Sequence, residues 1–283
     1  MTTIAVFAMG EMGSGIAGRL VEKGARVLTS LEGRSVASVS RAKAAGVEIL
    51  GDADMIEQAE LVLSIVPPSV AGITAERFLP LIKRSGGQQT FLDCNAIAPQ
   101  TLLALSKPFA DQGLRFGDAS IIGQSPKTGR PSARFYMSGP VAREAGLLRS
   151  FGLDTQLLSD RLGDASALKM AYAGITKGFQ AIGAAMALGA ARNGATDSLI
   201  GELRKSQPGL YAWLSKQLPA MYSKAYRWDG EMREIAKFLE PERGAVDMLT
   251  GAADLYIHVA ADYRKGPQTE IVSTLDRFAS PLK

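Results

Sequence analysis

The chain has 283 residues, of which 46% are hydrophobic and 21% are charged, and its 32 Lys and Arg residues against 28 Asp and Glu residues give a formal net charge of +4. This composition is typical of a soluble globular protein, and the length is enough for one large domain or two medium ones. The basic residues are dispersed and form no long cluster, so nucleic-acid binding is not expected.

The single cysteine and the single histidine exclude several kinds of site. Cys94 alone cannot form an internal disulfide, and this cysteine usage is typical of a reducing cytoplasm. A zinc site built from several His and Cys ligands cannot be assembled either. His258 lies in the apolar sequence LYIHVA, which indicates a packed structural histidine. The proton carrier of an acid–base enzyme would therefore be a lysine, a tyrosine or a carboxylate.

Neither a signal peptide nor a membrane span is predicted. The N-terminal stretch lacks a basic region and carries Glu11 among its apolar residues. The most apolar long stretch, residues 173–192, carries Lys177 and Gln180 near its middle. This pattern favours a buried helix over a membrane-spanning one.

The first half of the chain alternates short apolar strands with helical segments. Strands are predicted at residues 3–8, 25–30, 47–50, 61–68, 90–96, 115–122 and 133–140. Strands that are separated by helices of about ten residues or more imply right-handed crossovers and a parallel sheet. We therefore predict an α/β fold with a Rossmann-like, parallel-sheet N-terminal domain over residues 1–160.

The pattern changes after Gly152. One long helix is predicted over residues 164–192, and residues 197–279 are predicted to be helical throughout. An all-α C-terminal domain over residues 161–283 therefore follows the first domain. Breaks in the helices are expected near Pro208, Pro219, Pro241 and Pro267.

The sequence VFAMGEMG follows the first predicted strand and opens a helix. In a GxGxxG fingerprint the first glycine allows the tight turn, the second lets the backbone approach a pyrophosphate, and the third lets helix and strand pack closely. Gly10 and Gly13 occupy the second and third positions, and Ala8 occupies the first, where alanine fits if φ stays negative. The predicted cofactor-binding residues of this turn are Ala8, Met9, Gly10, Glu11, Met12 and Gly13.

The type of dinucleotide is determined at the end of the second strand, where the sequence is LEGRS. An NAD enzyme usually has an acidic residue there, which accepts hydrogen bonds from the ribose hydroxyls, whereas NADP requires a cation. Gly33 leaves room for a 2′-phosphate, which Arg34 and Ser35 can bind. We therefore predict NADP. The alternative is NAD, with Glu32 on the ribose and Arg34 as an ordinary surface charge.

The predicted long helix carries a stripe of polar and small residues. A stripe of this kind faces either solvent or a cleft between domains, where a dehydrogenase needs its proton donor. The residues alone leave both possibilities open. The stripe consists of Lys169, Tyr172, Ala173, Thr176 and Gln180, at spacings of three and four residues.

Together these segments resemble the β-hydroxyacid dehydrogenases, which are relatives of 6-phosphogluconate dehydrogenase, and more closely a branch with a divergent C-terminal domain. The matching segments are VFAMGEMG, EGRS, SIVPPS, LDCNAIAPQT, GDASIIG and GDASALKMAYAGITKG, spread along nearly the whole chain. The resemblance implies a nicotinamide-dependent oxidoreductase. It also implies a homodimer, built by the long helix and the apolar C-terminal helices.

In that family a Gly-x-Gly-x-x-x-Lys segment carries the catalytic lysine, which corresponds to Lys169 here. Ala165 replaces the second glycine of that segment. By resemblance, Lys169 protonates the carbonyl oxygen during reduction and accepts the hydroxyl proton during oxidation.

The resemblance also indicates where the substrate binds. Ala173 stands where the family has an asparagine that helps to hold the substrate, and Ile122-Gly123-Gln124 stands where the family has a Ser-Gly-Gly turn. Both differences concern substrate recognition rather than hydride transfer, so the substrate is expected either to be bulkier or not to be a simple small 3-hydroxy acid. The predicted substrate-binding residues are Ile122, Gly123, Gln124, Tyr172, Ala173 and Thr176.

Further cofactor contacts are predicted where the fourth and fifth strands end. The resemblance places the ribose and nicotinamide beside Val66, Pro67 and Pro68, although two prolines can also simply terminate a strand. Asn95 follows the fifth strand at the same sheet edge and is predicted to hydrogen-bond the cofactor.

The sequence therefore predicts an NADP-dependent oxidoreductase that moves a hydride between nicotinamide and an alcohol/carbonyl, hydroxy-acid-like substrate. Two alternatives remain. An imine reductase shares the architecture, although its chemistry rarely needs a lysine at the position of Lys169. A non-catalytic NADP-binding protein is the alternative from a different functional class.

Overall fold

The computed structural model describes residues 2–126, 133–266 and 268–280. The chain divides into two compact units, Met1–Met170 and Ala171–Lys283, which we call the first and the second unit. The division lies inside a long helix, beyond the predicted domain boundary at residue 160.

The first unit contains, within its described residues, one eight-stranded sheet with the order β3-β2-β1-β4-β5-β6-β7-β8. The strands are β1 (Thr3–Phe7), β2 (Arg26–Thr29), β3 (Glu48–Ile49), β4 (Leu61–Ser64), β5 (Thr90–Asp93), β6 (Arg115–Ile122), β7 (Arg134–Ser138) and β8 (Asp154–Ser159). The helices are α1 (Glu11–Glu22), α2 (Val36–Ala44), α3 (Asp52–Gln58), α4 (Ala71–Arg84), α5 (Pro99–Ala110), α6 (Ala142–Ser150) and the beginning of α7 (Asp164–Arg192).

Strands β1 to β6 are parallel, and the chain order reverses at β1, which lies between β2 and β4. In open parallel sheets such a reversal leaves a crevice at the carboxyl ends of the two strands, and ligands bind there. The glycine turn that follows Phe7 lies at this point.

Helices cover both faces of the sheet, so the central strands are apolar on both sides. Successive residues of a strand point to opposite faces, and in β1 Ile4 and Val6 belong to one buried cluster while Ala5 and Phe7 belong to the other. Every residue of β1 is therefore buried, as expected for a parallel sheet that is covered on both faces.

The predicted α/β fold with a helical C-terminal part is confirmed, but the far edge of the sheet differs from a purely parallel arrangement. β7 pairs antiparallel with β6, because no crossover helix separates the two strands along the described chain. β8 pairs parallel with β7 and was missed in the sequence. Its residues DTQLLS are mostly exposed and lack the apolar run that marked the central strands.

The second unit is helical in its described residues. It contains the remainder of α7, together with α8 (Thr196–Ser206), α9 (Pro208–Met221), α10 (Trp228–Phe238), α11 (Arg243–Tyr263) and α12 (Glu270–Ala279). Its core includes Tyr256 and Trp228, whose rings make an edge-to-face contact at 5.1 Å. The prediction of a packed histidine was wrong, because His258 lies on the exposed side of α11. None of the helices in the described ranges is long and apolar enough to span a membrane.

Candidate active site at the carboxyl edge of the sheet

The glycine turn between β1 and α1 has the geometry of an anion-binding helix start. Gly10 is the N-cap residue of α1 and has no side-chain cap, so the first N–H groups of the helix have no side-chain acceptor from their cap. A Cβ built on Gly10 would have no atom within 4 Å, so there is open space beside it. A Cβ on Gly13 would overlap the carbonyl oxygen of Ala8, which explains the glycine. Ala8 itself has no positive φ, as its alanine side chain requires.

A residue that sequence reasoning did not assign to the site holds this turn. Arg41, on α2, donates from Nε to the carbonyl oxygen of Met9 at 2.8 Å. The guanidinium therefore reaches the glycine turn from α2, 32 residues along the chain from Met9. The positive charge complements the helix N-terminus as a place for a phosphate.

Asn95 organises the end of β4 through a buried hydrogen-bond network. Its Oδ1 accepts from the N–H of Val66 at 2.6 Å, and its Nδ2 donates to Ser64 Oγ at 3.1 Å and to Asp93 Oδ2 at 2.7 Å. Both amide hydrogens are thus used within the protein, and Asn95 positions the Val66–Pro67 backbone. Its predicted direct bond to a cofactor stays a prediction.

The same network contains a perturbed carboxyl group. Burial raises the pKa of Asp93 to about 7, against the lowering effect of the hydrogen bonds from Asn95 and with a further increase from Asp118. Burial also raises the pKa of the neighbouring Cys94 thiol, so Cys94 is not an activated nucleophile.

Arg34, after β2, lies over the ring of Phe7 with its Cζ 4.4 Å from the ring centroid. Its Nε–H is buried and has no hydrogen-bond acceptor. Ser35 caps α2 by accepting from the N–H of Ser38 at 3.3 Å. Arg77, which sequence reasoning missed, approaches the same Phe7 ring from α4 at 5.4 Å.

Lys169 is brought to the end of β6, where the predicted substrate turn begins. Its Nζ donates to the carbonyl oxygen of Ile121 at 2.7 Å. The turn Ile122–Gly123–Gln124 follows at once, and Gly123 has a φ of 122°, which only glycine adopts readily. The turn reaches the glycine motif through its next residue, since Ser125 Oγ donates to the carbonyl oxygen of Glu11 at 2.8 Å.

A buried carboxylate fixes the start of the helix that carries Lys169. Asp118, on β6, accepts from Ser138 Oγ at 2.8 Å, Gly163 N at 3.1 Å, Ser166 N at 3.0 Å and Ser166 Oγ at 2.8 Å. Burial raises the pKa of Asp118, and these four hydrogen bonds oppose that increase. Asp118 therefore joins β6, β7 and the first turn of α7, and so sets the position of Lys169 relative to Ile121.

The other predicted substrate-binding residues lie further along α7, in the second unit. Tyr172 is half exposed and Ala173 is buried. The hydroxyl of Thr176 donates to the carbonyl oxygen of Tyr172 at 3.0 Å. The structure thus brings Lys169 and the 122–124 turn together, while the substrate roles of these three residues stay predictions.

A second lysine on α7, Lys177, has a structural partner. It forms an ion pair with Glu231 in which both side chains are 15% exposed, and its Nζ lies 5.1 Å from the ring centroid of Trp228. Tyr256 donates from its hydroxyl to the backbone carbonyl of Lys177 at 2.6 Å. Lys177 therefore stabilises the second unit, which explains a charged residue in the middle of the apolar stretch 173–192.

Comparison with protein families gives one match in each unit. Residues 3–96 match a family described as NADP oxidoreductase, coenzyme F420-dependent. Residues 190–259 match a domain of unknown function, DUF1932.

Two curated proteins are similar to the chain. An uncharacterized 28.5 kDa protein of Methanothermus fervidus, from the 7S RNA 5′ region, is 25% identical over 258 residues, which cover 90% of this chain and 98% of that protein. The 3-hydroxyisobutyrate dehydrogenase of Pseudomonas aeruginosa is 29% identical over 160 residues, which cover 54% of this chain and 52% of the dehydrogenase.

Solved structures share the fold over nearly the whole chain. A conserved protein of unknown function, described as structurally similar to 3-hydroxyacid dehydrogenases, has a TM-score of 0.65 and 26% identity, covering 91% of this chain and 99% of its own. An imine reductase from Myxococcus stipitatus in complex with NADP⁺ has a TM-score of 0.55 and 16% identity, covering 99% of this chain and 100% of its own. At that identity the second likeness concerns the fold alone.

Proposed function

We propose that the chain is an NADP-dependent oxidoreductase acting on the CH–OH group of a hydroxy-acid-like substrate; its resemblance to the β-hydroxyacid dehydrogenases and the match of residues 3–96 to an NADP oxidoreductase family support this. The observation that carries the proposal is the contact of Lys169 Nζ with the Ile121 carbonyl at 2.7 Å. This contact lies at the carboxyl edge of the sheet, the edge at which β1 is followed by the glycine turn, and it supports Lys169 as the proton carrier.

The residues at this edge fit a dinucleotide. The uncapped start of α1, with open space beside Gly10, would hold the pyrophosphate. The Val66–Pro68 backbone, fixed by Asn95, would border the ribose and nicotinamide. The Arg34 guanidinium, whose Nε–H has no acceptor within the protein, supplies the positive charge that a 2′-phosphate requires, which favours NADP over NAD.

Lys169 is the proposed general acid and base. When bound, the nicotinamide ring supplies or accepts the hydride. Lys169 gives a proton to the substrate carbonyl oxygen during reduction and takes the hydroxyl proton during oxidation. The carbonyl oxygen of Ile121 orients the amine by accepting a hydrogen bond from it, and Asp118 holds the helix turn that carries Lys169. The Ile122–Gly123–Gln124 turn, directly after Ile121, would bind the substrate carboxylate through its backbone.

We also propose a homodimer that forms through α7. Five apolar side chains on this helix are between 48% and 61% exposed. They recur every three or four residues, which is the spacing of a helix seam that packs against a partner. The five are Tyr172, Ile175, Phe179, Ile182 and Met186.

A spectrophotometric screen tests the activity. The screen compares the rates at which the absorbance of the reduced cofactor changes at 340 nm with three classes of substrate. These are hydroxy acids with NADP, the corresponding carbonyl compounds with NADPH, and cyclic imines with NADPH. Turnover of hydroxy acids supports the proposal, whereas turnover of imines alone favours an imine reductase. Cofactor binding without turnover of any class leaves a non-catalytic binding protein.

Variants of Lys169 then test its role. Lys169→Ala should lower kcat at least about 100-fold, which is the usual scale for a general acid–base group. Lys169→Arg should also be poorly active, because arginine keeps the charge but does not release a proton. NADPH affinity should stay within about tenfold in both. Lys107→Met, at a lysine that is 73% exposed, is the matched control and should be fully active. Unchanged turnover of Lys169→Ala would contradict the assignment.

A further inference from the structure

Two guanidinium groups lie close to one buried phenyl ring where β1 ends. The Cζ atoms of Arg34 and Arg77 are 4.4 Å and 5.4 Å from the centroid of Phe7. Arg34 follows β2, and Arg77 comes from the middle of α4. Burial and the repulsion of Arg77 both lower the pKa of Arg34, so each cation raises the electrostatic cost of the other.

Both carboxylates of the cluster bind Arg77. Asp52 accepts from Nε of Arg77 through Oδ2, and its side chain is only 13% exposed. Glu32 accepts from Nη2 of Arg77 at 3.4 Å. Two buried polar atoms of the cluster have no hydrogen-bond partner: the Nε–H of Arg34 and Oδ1 of Asp52. A buried charged donor without an acceptor is unfavourable, so an anion that supplies Arg34 with an acceptor is favoured.

The carboxylates would otherwise act against a phosphate. Glu32 is the acidic residue at the end of β2 that, in NAD-binding folds, accepts from the ribose hydroxyls and repels a 2′-phosphate. Asp52 is near enough to Arg34 for its charge to raise the pKa of Arg34 in part. Without Arg77, Asp52 would become the natural partner of Arg34 and Glu32 would be released toward the ribose.

We propose that Arg77 determines the cofactor preference of the chain: by binding Glu32 and Asp52, it withholds both carboxylates from Arg34 and leaves Arg34 to bind the 2′-phosphate of NADP. The inference rests on the proposed function, since it requires a dinucleotide at this sheet edge. It also assigns a specificity role to a residue that lies 45 positions along the chain from Glu32.

The test is an equilibrium fluorescence titration of the full chain with NADPH and with NADH, which needs no substrate. In Arg77→Met the Kd for NADPH should rise at least about tenfold, a change of about 1.4 kcal/mol, while the Kd for NADH stays within about twofold or falls. Arg84→Met removes an exposed arginine from the end of the same helix and should change neither Kd.

A triple variant tests whether Arg77 acts by keeping the two carboxylates away from Arg34 or in some other way. Arg77→Met combined with Glu32→Gln and Asp52→Asn has no unpaired carboxylate, so it should fold and should recover NADPH affinity to within about threefold of wild type. A folded triple variant that still binds NADPH weakly would overturn the inference, because Arg77 would then act on the phosphate directly.

The outcomes also distinguish this inference from the proposed function. If wild type prefers NADPH and Arg77→Met keeps the same preference, the inference is wrong and the proposed function stands. If wild type prefers NADH, both the inference and the NADP assignment are wrong. If wild type binds neither dinucleotide, the proposed function fails and the inference fails with it.

Discussion

Two substitutions of Asp118 should separate the stability that its side chain contributes as a hydrogen-bond acceptor from the stability that its charge contributes. Asp118→Ala leaves two backbone N–H groups, those of Gly163 and Ser166, without their acceptor at the start of α7. Each unsatisfied buried donor costs about 1–3 kcal/mol, and the hydroxyls of Ser138 and Ser166 lose the same partner but can rotate. The free energy of unfolding of the first unit should therefore fall by about 2–6 kcal/mol.

Asp118→Asn should cost much less. An amide oxygen at the place of Oδ2 keeps the three donors that reach that atom, and the new amide nitrogen faces only Ser166 Oγ, a hydroxyl that can turn to accept. Loss of the charge is partly offset because burial disfavours the ionised carboxyl, which is why its pKa is raised. We expect a change within about 1 kcal/mol.

Urea unfolding followed by fluorescence and circular dichroism measures both variants, with an unchanged slope as the check that stability alone has changed. A difference of at least about 2 kcal/mol between Ala and Asn supports the account of Asp118 as an acceptor for the helix start. Equal stability of the two variants would refute it.

Two other predictions concern pH and assembly. The pKa of Asp93 in the folded protein is about 7, above its ordinary value of 3.8. Between these two pH values the native state holds a proton that the unfolded state has lost. The stability that this group contributes is therefore complete below about pH 4 and is lost as the pH rises to about 7. Asp93→Asn should therefore reduce the fall in unfolding free energy across this window, by at most about 1.4 kcal/mol per pH unit, in urea titrations at several pH values; an unchanged slope would show that Asp93 is ionised throughout. Phe179→Glu puts a charge in the middle of the exposed α7 stripe and should give a monomer in light scattering after size exclusion, whereas Leu103→Glu, on α5, should not change the mass. A monomeric wild type, or a dimeric Phe179→Glu, would contradict the proposed interface.

The sequence predicted those parts of the fold that local patterns determine. Neighbouring residues determine the apolar run of β1, the glycines of the turn, and the alternation of strands and helices. Gly13, for example, is a glycine because the carbonyl of Ala8, five residues earlier, leaves no room for a side chain. β8 was missed because an edge strand needs few apolar residues.

The parts of the site that were missed come from distant segments. Arg77 reaches Glu32 across 45 residues, and Asp118 reaches Ser166 across 48. Arg41 reaches Met9 in the same way. Such contacts follow from the order of the strands in the sheet, so no spacing in the sequence indicates them. The spacing on α7 indicated Lys169 as part of a polar stripe and the resemblance to a known family supplied its catalytic role, but neither predicted its contact with Ile121.

Titration of the wild-type chain and of Gly10→Ala with NADPH tests the central claim most directly. The added methyl group meets no protein atom within 4 Å, so the variant should fold like wild type, but it occupies the space in which the pyrophosphate would lie. We predict saturable binding of NADPH to wild type and at least about tenfold weaker binding to Gly10→Ala, a loss of about 1.4 kcal/mol or more. No binding to wild type, or equal affinity in the two proteins, would contradict a dinucleotide site at this turn.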